Sequence, residues 1–384
     1  MNNTVQCFIV AFLMGAIFIS CNQQKPDSNT QSGLNRQDFQ TLVNGDSTDL
    51  FTIFNAKGMQ VSITNYGGRI VSLLVPDKSD QLLDVVLGFD HIDDYVAMPS
   101  SFGATMGRVT NRIGYGQFVL DGDTIKLDKN NGLHTIHGGG SGWRQQVFDA
   151  IQPNDSTLIL SYLSPDGEAG FPGNVNVTVK YTVTATNALV IDYAAQTDKK
   201  TVINMTNHSF FNLSGNPENS ILDNILYVNA NHFTPIDTSL ITTGEILPVA
   251  GTPFDFNKPL PIKEAITRDS TNEQLQLVGG LDHNWVLNTA GNPAILAAKL
   301  YAPSSGIALE VYTNEPGIQV YTGNMLDGSQ SGKGGHPFNK QTAVCLETQH
   351  FPDAPNKPEW PSIVLTPDAV YHSTCIYQFT ATQQ

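Results

Sequence analysis

The amino-acid sequence predicts an all-β protein, a single large antiparallel β-sandwich, from two observations. Apolar and polar residues alternate from Val175 to Val183, and Asn187 then separates this run from a second apolar run, Leu189–Tyr193. Because successive side chains of a strand point to opposite faces, the pattern indicates an antiparallel hairpin with one buried face. The composition agrees, since 33 Gly, 21 Pro and only 14% charged residues are typical of many strands joined by tight turns.

Short apolar runs of strand length recur along the rest of the chain. Gly, Pro or Asn separates many of them, and only short stretches such as residues 260–266 have a helical pattern. No internal repeat or low-complexity linker follows residue 40, so residues 40–384 are predicted to form one domain. The further predicted strands lie at residues 61–63, 70–75, 85–87, 157–163, 201–205, 225–228, 297–301, 307–312 and 318–321.

The first 21 residues have the features of a targeting segment. Residues 8–20 are apolar and uncharged but too short to span a bilayer comfortably, and a small residue precedes Cys21. This resembles a bacterial lipoprotein signal with Cys21 as the lipidated first residue of the mature chain. Plain secretion is the alternative, because no Lys or Arg precedes the apolar run and Phe18 stands where an aliphatic residue is usual.

The segment after the signal has no hydrophobic period. Residues 22–39 are rich in Asn, Gln and Ser, which predicts a flexible tether between the lipid and the domain. We therefore expect a location in the cell envelope, periplasmic or extracellular, with the lipid on Cys21 as the only membrane attachment.

The charge balance limits the partners. With 20 Lys and Arg against 35 Asp and Glu, the formal net charge is −15, so no basic surplus is available to bind nucleic acid or an anionic membrane surface. A neutral small molecule fits better as a ligand, and the sequence is compatible with both a monomer and a dimer.

Cys345 and Cys375 stand among apolar residues. Buried free thiols are expected there, and a single disulfide is the alternative.

Glu347 is an acidic residue directly after an apolar run, residues 343–346. Burial raises the pKa of a carboxyl group and makes the carboxylate a better proton acceptor, so Glu347 is a candidate general base. His208 lies in an aromatic segment after a probable strand, residues 201–205. Imidazole exchanges protons near neutral pH, which makes His208 the natural acid for Glu347. A core histidine bonded to a backbone carbonyl is the alternative.

Further polar residues occur in segments suited to binding a polyol. Glycines let the backbone approach a ligand, and mixed amide, guanidinium and imidazole groups supply hydrogen-bond donors with little net charge. Structural alternatives exist for each: Arg112 could form a surface ion pair, and Asp282 could begin an Asx-turn. His134 and His137 could be metal ligands or ordinary loop residues, and Gln319 alone reads as a strand residue. The candidates are Asn111, Arg112, His137, Asp282 and Gln319.

Taken together and in order, these segments resemble the motifs of the aldose 1-epimerase (galactose mutarotase) family. The resemblance extends over residues 40–381. It departs from the family's pattern at Thr135-Ile136, which is inserted before His137. The segments that carry it are Asn111–Ile113, His137–Gly139, Thr206–Leu213, Asp282–Asn284, Gln319–Asn324 and Leu346–Gln349.

The resemblance implies a large antiparallel β-sandwich with a sugar site in a cleft. The implied reaction interconverts the α and β anomers of free aldohexoses such as glucose and galactose, without a metal or other cofactor. Glu347 corresponds to the general base and His208 to the general acid. The implied sugar-binding positions are Asn111, Arg112, His137, Asp282 and Gln319, with His137 sharing in proton transfer.

Three other functions stay open at this point. A catalytically silent sugar-binding protein could use the same fold, although both Glu347 and His208 are intact. A metal-dependent hydrolase could use some of the histidines 134, 137, 208 and 283, but no spacing of two His and a carboxylate stands out. An epimerase acting on a phosphorylated sugar would need more basic residues in the site than Arg112.

Overall fold

The computed structural model of the protein describes residues 31–98 and 100–382. The predicted signal segment with Cys21, and the predicted tether up to residue 30, lie outside these residues. The end of that tether packs against the domain: Leu34 and Phe39 are buried, and a 3₁₀ helix covers Arg36–Phe39. In the described part of the chain no helix is long and apolar enough to cross a membrane.

The predicted fold class is confirmed, because the chain is built mainly from antiparallel strands with few helices. Among the described residues the largest sheet has nine strands. Its strands, in spatial order, are Asp149–Asn154, Thr157–Ser164, Val175–Val183, Ala188–Thr197, Tyr371–Ala381, Ile307–Thr313, Ala298–Tyr301, Ile225–Val228 and Leu260–Pro261.

Two smaller sheets and several strand pairs complete the architecture. The five-stranded sheet has the order Leu247–Pro248, Ala230–Thr234, Asp282–Leu287, Gly317–Tyr321 and Cys345–Gln349. The four-stranded sheet has the order Leu50–Phe54, Gln60–Thr64, Arg69–Pro76 and Leu82–Asp84. The strand pairs are Leu42–Val43 with Asp46–Ser47, Ala104–Met106 with Thr206–His208, Arg112–Ile113 with Thr135–Ile136, Gln117–Leu120 with Asp123–Lys126, and Thr201–Val202 with Val364–Leu365.

Helices are short and lie between strands. The predicted helical stretch is confirmed as Ile262–Arg268, whereas the helix Glu273–Val278 was not predicted. The latter begins at Asn272, whose side chain accepts hydrogen bonds from the backbone N–H groups of the first turn. The other helices are Ile92–Ala97 and the 3₁₀ turns Gly114–Gly116, Trp143–Gln145, Glu168–Gly170, Lys333–Gly335 and Ala354–Asn356.

The main core lies between the large sheet and the two smaller sheets. The predicted hairpin is present, with Val175–Val183 paired to Ala188–Thr197 and alternate side chains buried. Val61, Tyr181 and Trp285, one from each of the three sheets, are completely buried in one apolar cluster. Each such side chain stabilises the fold by roughly 1.5–3 kcal/mol.

The strand Cys345–Gln349 lies between this core and a second apolar cluster. Leu346 belongs to the main core, and its carbonyl accepts a 2.8 Å hydrogen bond from the Tyr377 hydroxyl of the large sheet. Cys345 belongs to the second cluster. Because side chains alternate along a strand, Glu347 projects on the Cys345 side. Both Cys345 and Cys375 are buried and free, as expected.

Candidate active site

Three neighbouring strands of the five-stranded sheet place the acidic side of the site. Gln319 lies directly opposite Glu347 on one side and Asn284 on the other. Asp282 is two residues before Asn284, and its Oδ1 accepts a 2.7 Å hydrogen bond from the Gln319 amide. Strand pairing therefore brings together carboxyl groups that are 65 residues apart in the sequence.

His208 reaches Glu347 from a different strand pair. The strand Thr206–His208 pairs with Ala104–Met106, and the His208 Nε2 atom lies 3.5 Å from Oε1 of Glu347. The imidazole stacks on Phe210 with ring centroids 5.0 Å apart and an 18° angle between the planes. The side chains are 8% and 2% exposed, so a base and an acid stand side by side away from bulk water.

Both members of this pair keep a polar atom free for a ligand. His208 Nδ1 and Glu347 Oε2 are buried and have no hydrogen-bond partner among the described residues. Buried polar groups of native proteins are normally paired, because an unpaired one costs about 1–3 kcal/mol. Both atoms belong to residues that line the same cavity, so they are available to hydrogen-bond a ligand there.

Burial governs the charge state of the pair. It raises the pKa of Glu347 well above the ordinary value, and the nearby Asp282 adds to the rise while Arg112 opposes it. It lowers the pKa of His208 to about 3, assisted by the charge of Arg144. Both effects favour the uncharged form, so without a ligand the proton of the pair resides on the carboxyl group rather than on the imidazole.

Six of the seven predicted site residues line a cavity of about 320 Å³. This volume is at the lower end of small-molecule pockets, which span roughly 300–1,000 Å³, and suits a single sugar ring. Gln319 does not line the cavity and lies behind Asp282, whose carboxylate it holds. The predicted residues in the lining are Asn111, Arg112, His137, His208, Asp282 and Glu347.

Asn111 and His137 fix one another across a short strand pair. The N–H of His137 donates to the carbonyl of Asn111 at 2.9 Å, and the N–H of Asn111 donates to His137 Nδ1 at 3.2 Å. Since Nδ1 is the acceptor, the neutral ring carries its proton on Nε2 and offers a donor. The inserted Thr135-Ile136 forms the strand that pairs with Arg112–Ile113, so the insertion supports the position of Arg112.

Burial and neighbouring charges favour the neutral form of His137. Burial lowers the pKa of His137 well below its ordinary value, and His208, Arg144 and Arg112 lower it further. A neutral imidazole with its proton on Nε2 can donate a hydrogen bond to a sugar oxygen. The loop is tightly fitted, because a Cβ on Gly138, at φ 81°, would lie 1.9 Å from the carbonyl oxygen of Gly107.

Sequence reasoning missed Arg144. This residue belongs to the 3₁₀ turn Trp143–Gln145 that follows the glycine-rich loop, lines the cavity and is only 9% exposed. The Gly138–Gly140 run, which ends four residues before Arg144, was the available signal, since glycine-rich loops let the backbone approach a ligand closely.

The histidines of the metal hypothesis do not gather around one point. His134 Nδ1 accepts a hydrogen bond from the N–H of Tyr115, and His283 packs against Phe254 with ring centroids 4.7 Å apart. Neither lines the cavity. Within residues 31–98 and 100–382, one group of three possible metal ligands occurs, with donor atoms within 4.8 Å of one another: His208, Cys345 and Glu347.

Comparisons with known proteins identify the family of this chain. The family model described as aldose 1-epimerase matches residues 49–378. Galactose mutarotase of Bos taurus is 40% identical over 322 residues, 84% of this chain and 91% of that protein. Aldose 1-epimerase of Escherichia coli K12 is 33% identical over 334 residues, 86% of this chain and 95% of that protein.

Solved structures show the same fold. A crystal structure of an aldose epimerase homologue from C. elegans superposes with a TM-score of 0.81 at 28% identity, covering 87% of this chain and 99% of that one. Galactose 1-epimerase from Lactobacillus acidophilus superposes with a TM-score of 0.78 at 28% identity, covering 89% of this chain and 97% of that one.

Proposed function

Since this chain belongs to the aldose 1-epimerase family, a family of isomerases, we propose that it interconverts the α and β anomers of free aldohexoses such as glucose and galactose. The observation that carries the proposal is the buried pair of His208 and Glu347, with Nε2 and Oε1 3.5 Å apart in a cavity sized for one sugar ring. The alternative of a catalytically silent sugar-binding protein has no use for such a pair.

The reaction needs one base and one acid at the anomeric centre. Glu347 removes the proton of the C1 hydroxyl while His208 protonates the ring oxygen, and the ring opens to an aldehyde. Rotation about the C1–C2 bond then presents the other face of the carbonyl. The C5 hydroxyl attacks that face, His208 recovers its proton, and Glu347 returns one to the new C1 hydroxyl.

Sugar binding prepares the charges that these roles require. Without sugar, burial favours a protonated Glu347 and a neutral His208, the reverse of the base and acid forms. Transfer of one proton across the 3.5 Å contact produces carboxylate and imidazolium. Hydrogen bonds from the C1 hydroxyl to the carboxylate and from the imidazolium to the ring oxygen stabilise that ionised form, as does Arg112, which lowers the pKa of Glu347.

The other cavity residues hold the sugar. Asn111 and the Nε2–H of His137 donate to hydroxyl oxygens, Arg112 donates through its guanidinium, and Asp282 accepts from hydroxyl groups. Gln319 acts indirectly by fixing Asp282 through their 2.7 Å hydrogen bond. Mixed donors and acceptors of this kind suit a polyol.

Polarimetry tests the function directly. Fresh α-D-glucose or α-D-galactose is dissolved with and without purified protein, and optical rotation is followed to equilibrium. The protein should accelerate the approach without changing the end point. Equal rates in both samples would refute the proposal and favour a binding protein, which calorimetry with the same sugars would then detect. The proposal includes a reaction without cofactor, so dialysis against EDTA should leave the rate unchanged.

We also propose that the protein is anchored in the cell envelope through lipid on Cys21, periplasmic or extracellular. The support is the apolar segment of residues 8–20 and the small residue before Cys21. Cells expressing the protein are labelled with radioactive palmitate, with Cys21→Ala as the matched control. Label in the native protein and its loss in the variant are expected, and an unlabelled native protein would favour plain secretion.

A further inference from the structure

Arg144 is a buried cation without a partner. Its guanidinium makes no hydrogen bond and no ion pair with the part of the chain that the structure describes, and Nε is completely enclosed. The residue is only 9% exposed and lines the sugar cavity beside His137 and His208. Its charge lowers the pKa of both histidines, which line the same cavity.

The other two buried arginines near the site, Arg112 and Arg69, interact with protein groups. Arg112 acts on the carboxyl groups of Asp282 and Glu347, lowering the pKa of each, and its Nε donates to Asn131. Arg69 donates to three backbone carbonyls, of Ser100, Phe102 and Arg144. The charge of Arg112 is therefore offset by two carboxyl groups, and the guanidinium of Arg69 is held by backbone carbonyls.

In the described part of the chain, no comparable anion faces Arg144. The one ionisable group whose negative form would favour its charge is Tyr66. Burial raises the pKa of the Tyr66 phenol, so the phenol stays neutral. A buried charge is costly unless it is paired and hydrogen-bonded. The cavity thus combines one guanidinium that is offset by carboxyl groups with one that is not.

We infer that Arg144 binds an anionic group of the substrate, and that the site takes aldohexoses whose C6 is a carboxylate, the hexuronates, in addition to neutral sugars. The inference rests on the proposed function, because it places C1 and the ring oxygen at Glu347 and His208. The remaining ring positions carry neutral hydroxyls, so C6 is where a pyranose holds its anion. A carboxylate matches the planar fork of a guanidinium with two parallel hydrogen bonds.

The net charge of −15 does not prevent such binding. Charges more than about 8–10 Å apart in water are largely screened at physiological salt, whereas a buried pair is screened much less. A carboxylate inside the cavity therefore interacts more strongly with Arg144, which lines the cavity, than with distant surface charges. Arg144 also supplies a second basic residue in the site, in addition to Arg112, as an anionic sugar requires.

The test compares neutral and anionic sugars in the native protein and three variants. Mutarotation of D-galactose, D-galacturonate and D-galactose 6-phosphate is measured at anomeric equilibrium by nuclear magnetic resonance exchange spectroscopy. Arg144→Gln removes the charge, Arg144→Lys keeps it, and Lys129→Gln removes a positive charge from an exposed position. Calorimetry of galacturonate binding gives a readout that does not depend on catalysis.

Galacturonate should be a substrate, and Arg144→Gln should raise its KM and its dissociation constant about tenfold or more, several times more than it raises the KM for galactose. Arg144→Lys should retain part of the preference, and Lys129→Gln should behave as native. Equal losses for both sugars in Arg144→Gln would overturn the inference, as would faster turnover of the 6-phosphate than of galacturonate. Failure of the native protein on every sugar would instead refute the proposed function.

Discussion

Replacement of Glu347 with Gln should move activity and stability in opposite directions. Gln keeps the size and shape of the side chain but cannot take the proton of the C1 hydroxyl. A positioned acid or base typically contributes ~10²–10⁴-fold to the rate, which corresponds to about 3–5 kcal/mol of transition-state stabilisation. The value of kcat/KM for galactose should therefore fall by that factor.

The stability change follows from the raised pKa of Glu347. A carboxyl group whose pKa is higher in the folded protein than in the unfolded chain makes the folded state bind more protons. The free energy of unfolding therefore decreases as the pH rises from the ordinary value of 4.5 towards the folded pKa. Each pKa unit of difference corresponds to about 1.4 kcal/mol. Gln does not titrate, so the variant should gain stability relative to the native protein over this range.

Glu315→Gln is the matched control. Glu315 is as buried as Glu347, at 2% exposure each, but its carboxylate contacts the ring of His350 at 2.5 Å and accepts a hydrogen bond from Tyr371. It does not line the cavity. This variant should lose stability, but its folded fraction should keep the native activity.

The two variants are compared by galactose polarimetry and by thermal melts between pH 4.5 and pH 8. Near-native kcat/KM in Glu347→Gln would show that this residue is not the base. If Glu347→Gln loses as much stability as Glu315→Gln, the buried carboxylate of Glu347 does not destabilise the folded state.

Four further outcomes are expected. His208→Gln should lower kcat/KM by ~10²–10⁴-fold, and native-like activity would exclude it as the acid. Gln319→Met, which frees Asp282, should raise KM severalfold with little effect on kcat; an equal effect on both would contradict a positioning role. Because burial lowers the pKa of His283 to about 3, the folded state binds fewer protons than the unfolded chain between pH 3 and 6.5, and stability falls on acidification. Urea melts of His283→Asn should show that slope reduced by about 1.4 kcal/mol per pH unit. Finally, EDTA should leave the polarimetric rate unchanged, and a rate lost in EDTA and restored by a divalent cation would support the metal hypothesis instead.

The sequence predicted the fold well where the pattern is local. Alternation from Val175 to Val183 is a property of one strand with one buried face, so it identifies both the strand and its inner side. The helix Glu273–Val278 escaped prediction because six residues are too few for a helical period to stand out. The order of the strands in the sheets could not be predicted either, since it depends on contacts between segments that are distant in the sequence.

The site was predicted only as far as single residues reveal their roles. Glu347 and His208 are 139 residues apart, and their 3.5 Å contact arises from the packing of two separate sheets. Gln319 was expected to contact sugar, but its position behind Asp282 depends on strand register. Arg144 was missed because the glycine run before it indicates only a loop near a ligand, whereas the burial of its guanidinium without a partner depends on packing between distant segments.

The strand that carries Glu347 shows why its burial and its reactivity cannot be separated. Leu346 must enter the main core, and the alternation of side chains then sends Glu347 to the opposite face. That face is also covered, by the cluster that contains Cys345 and Phe210. The same packing that stabilises the strand therefore keeps water from the carboxyl group and raises its pKa. A variant that opens the cluster, such as Phe210→Ala, should lower that pKa and weaken the base while it destabilises the fold. Activity lost without any shift of the pH profile would indicate that Phe210 only holds the ring of His208.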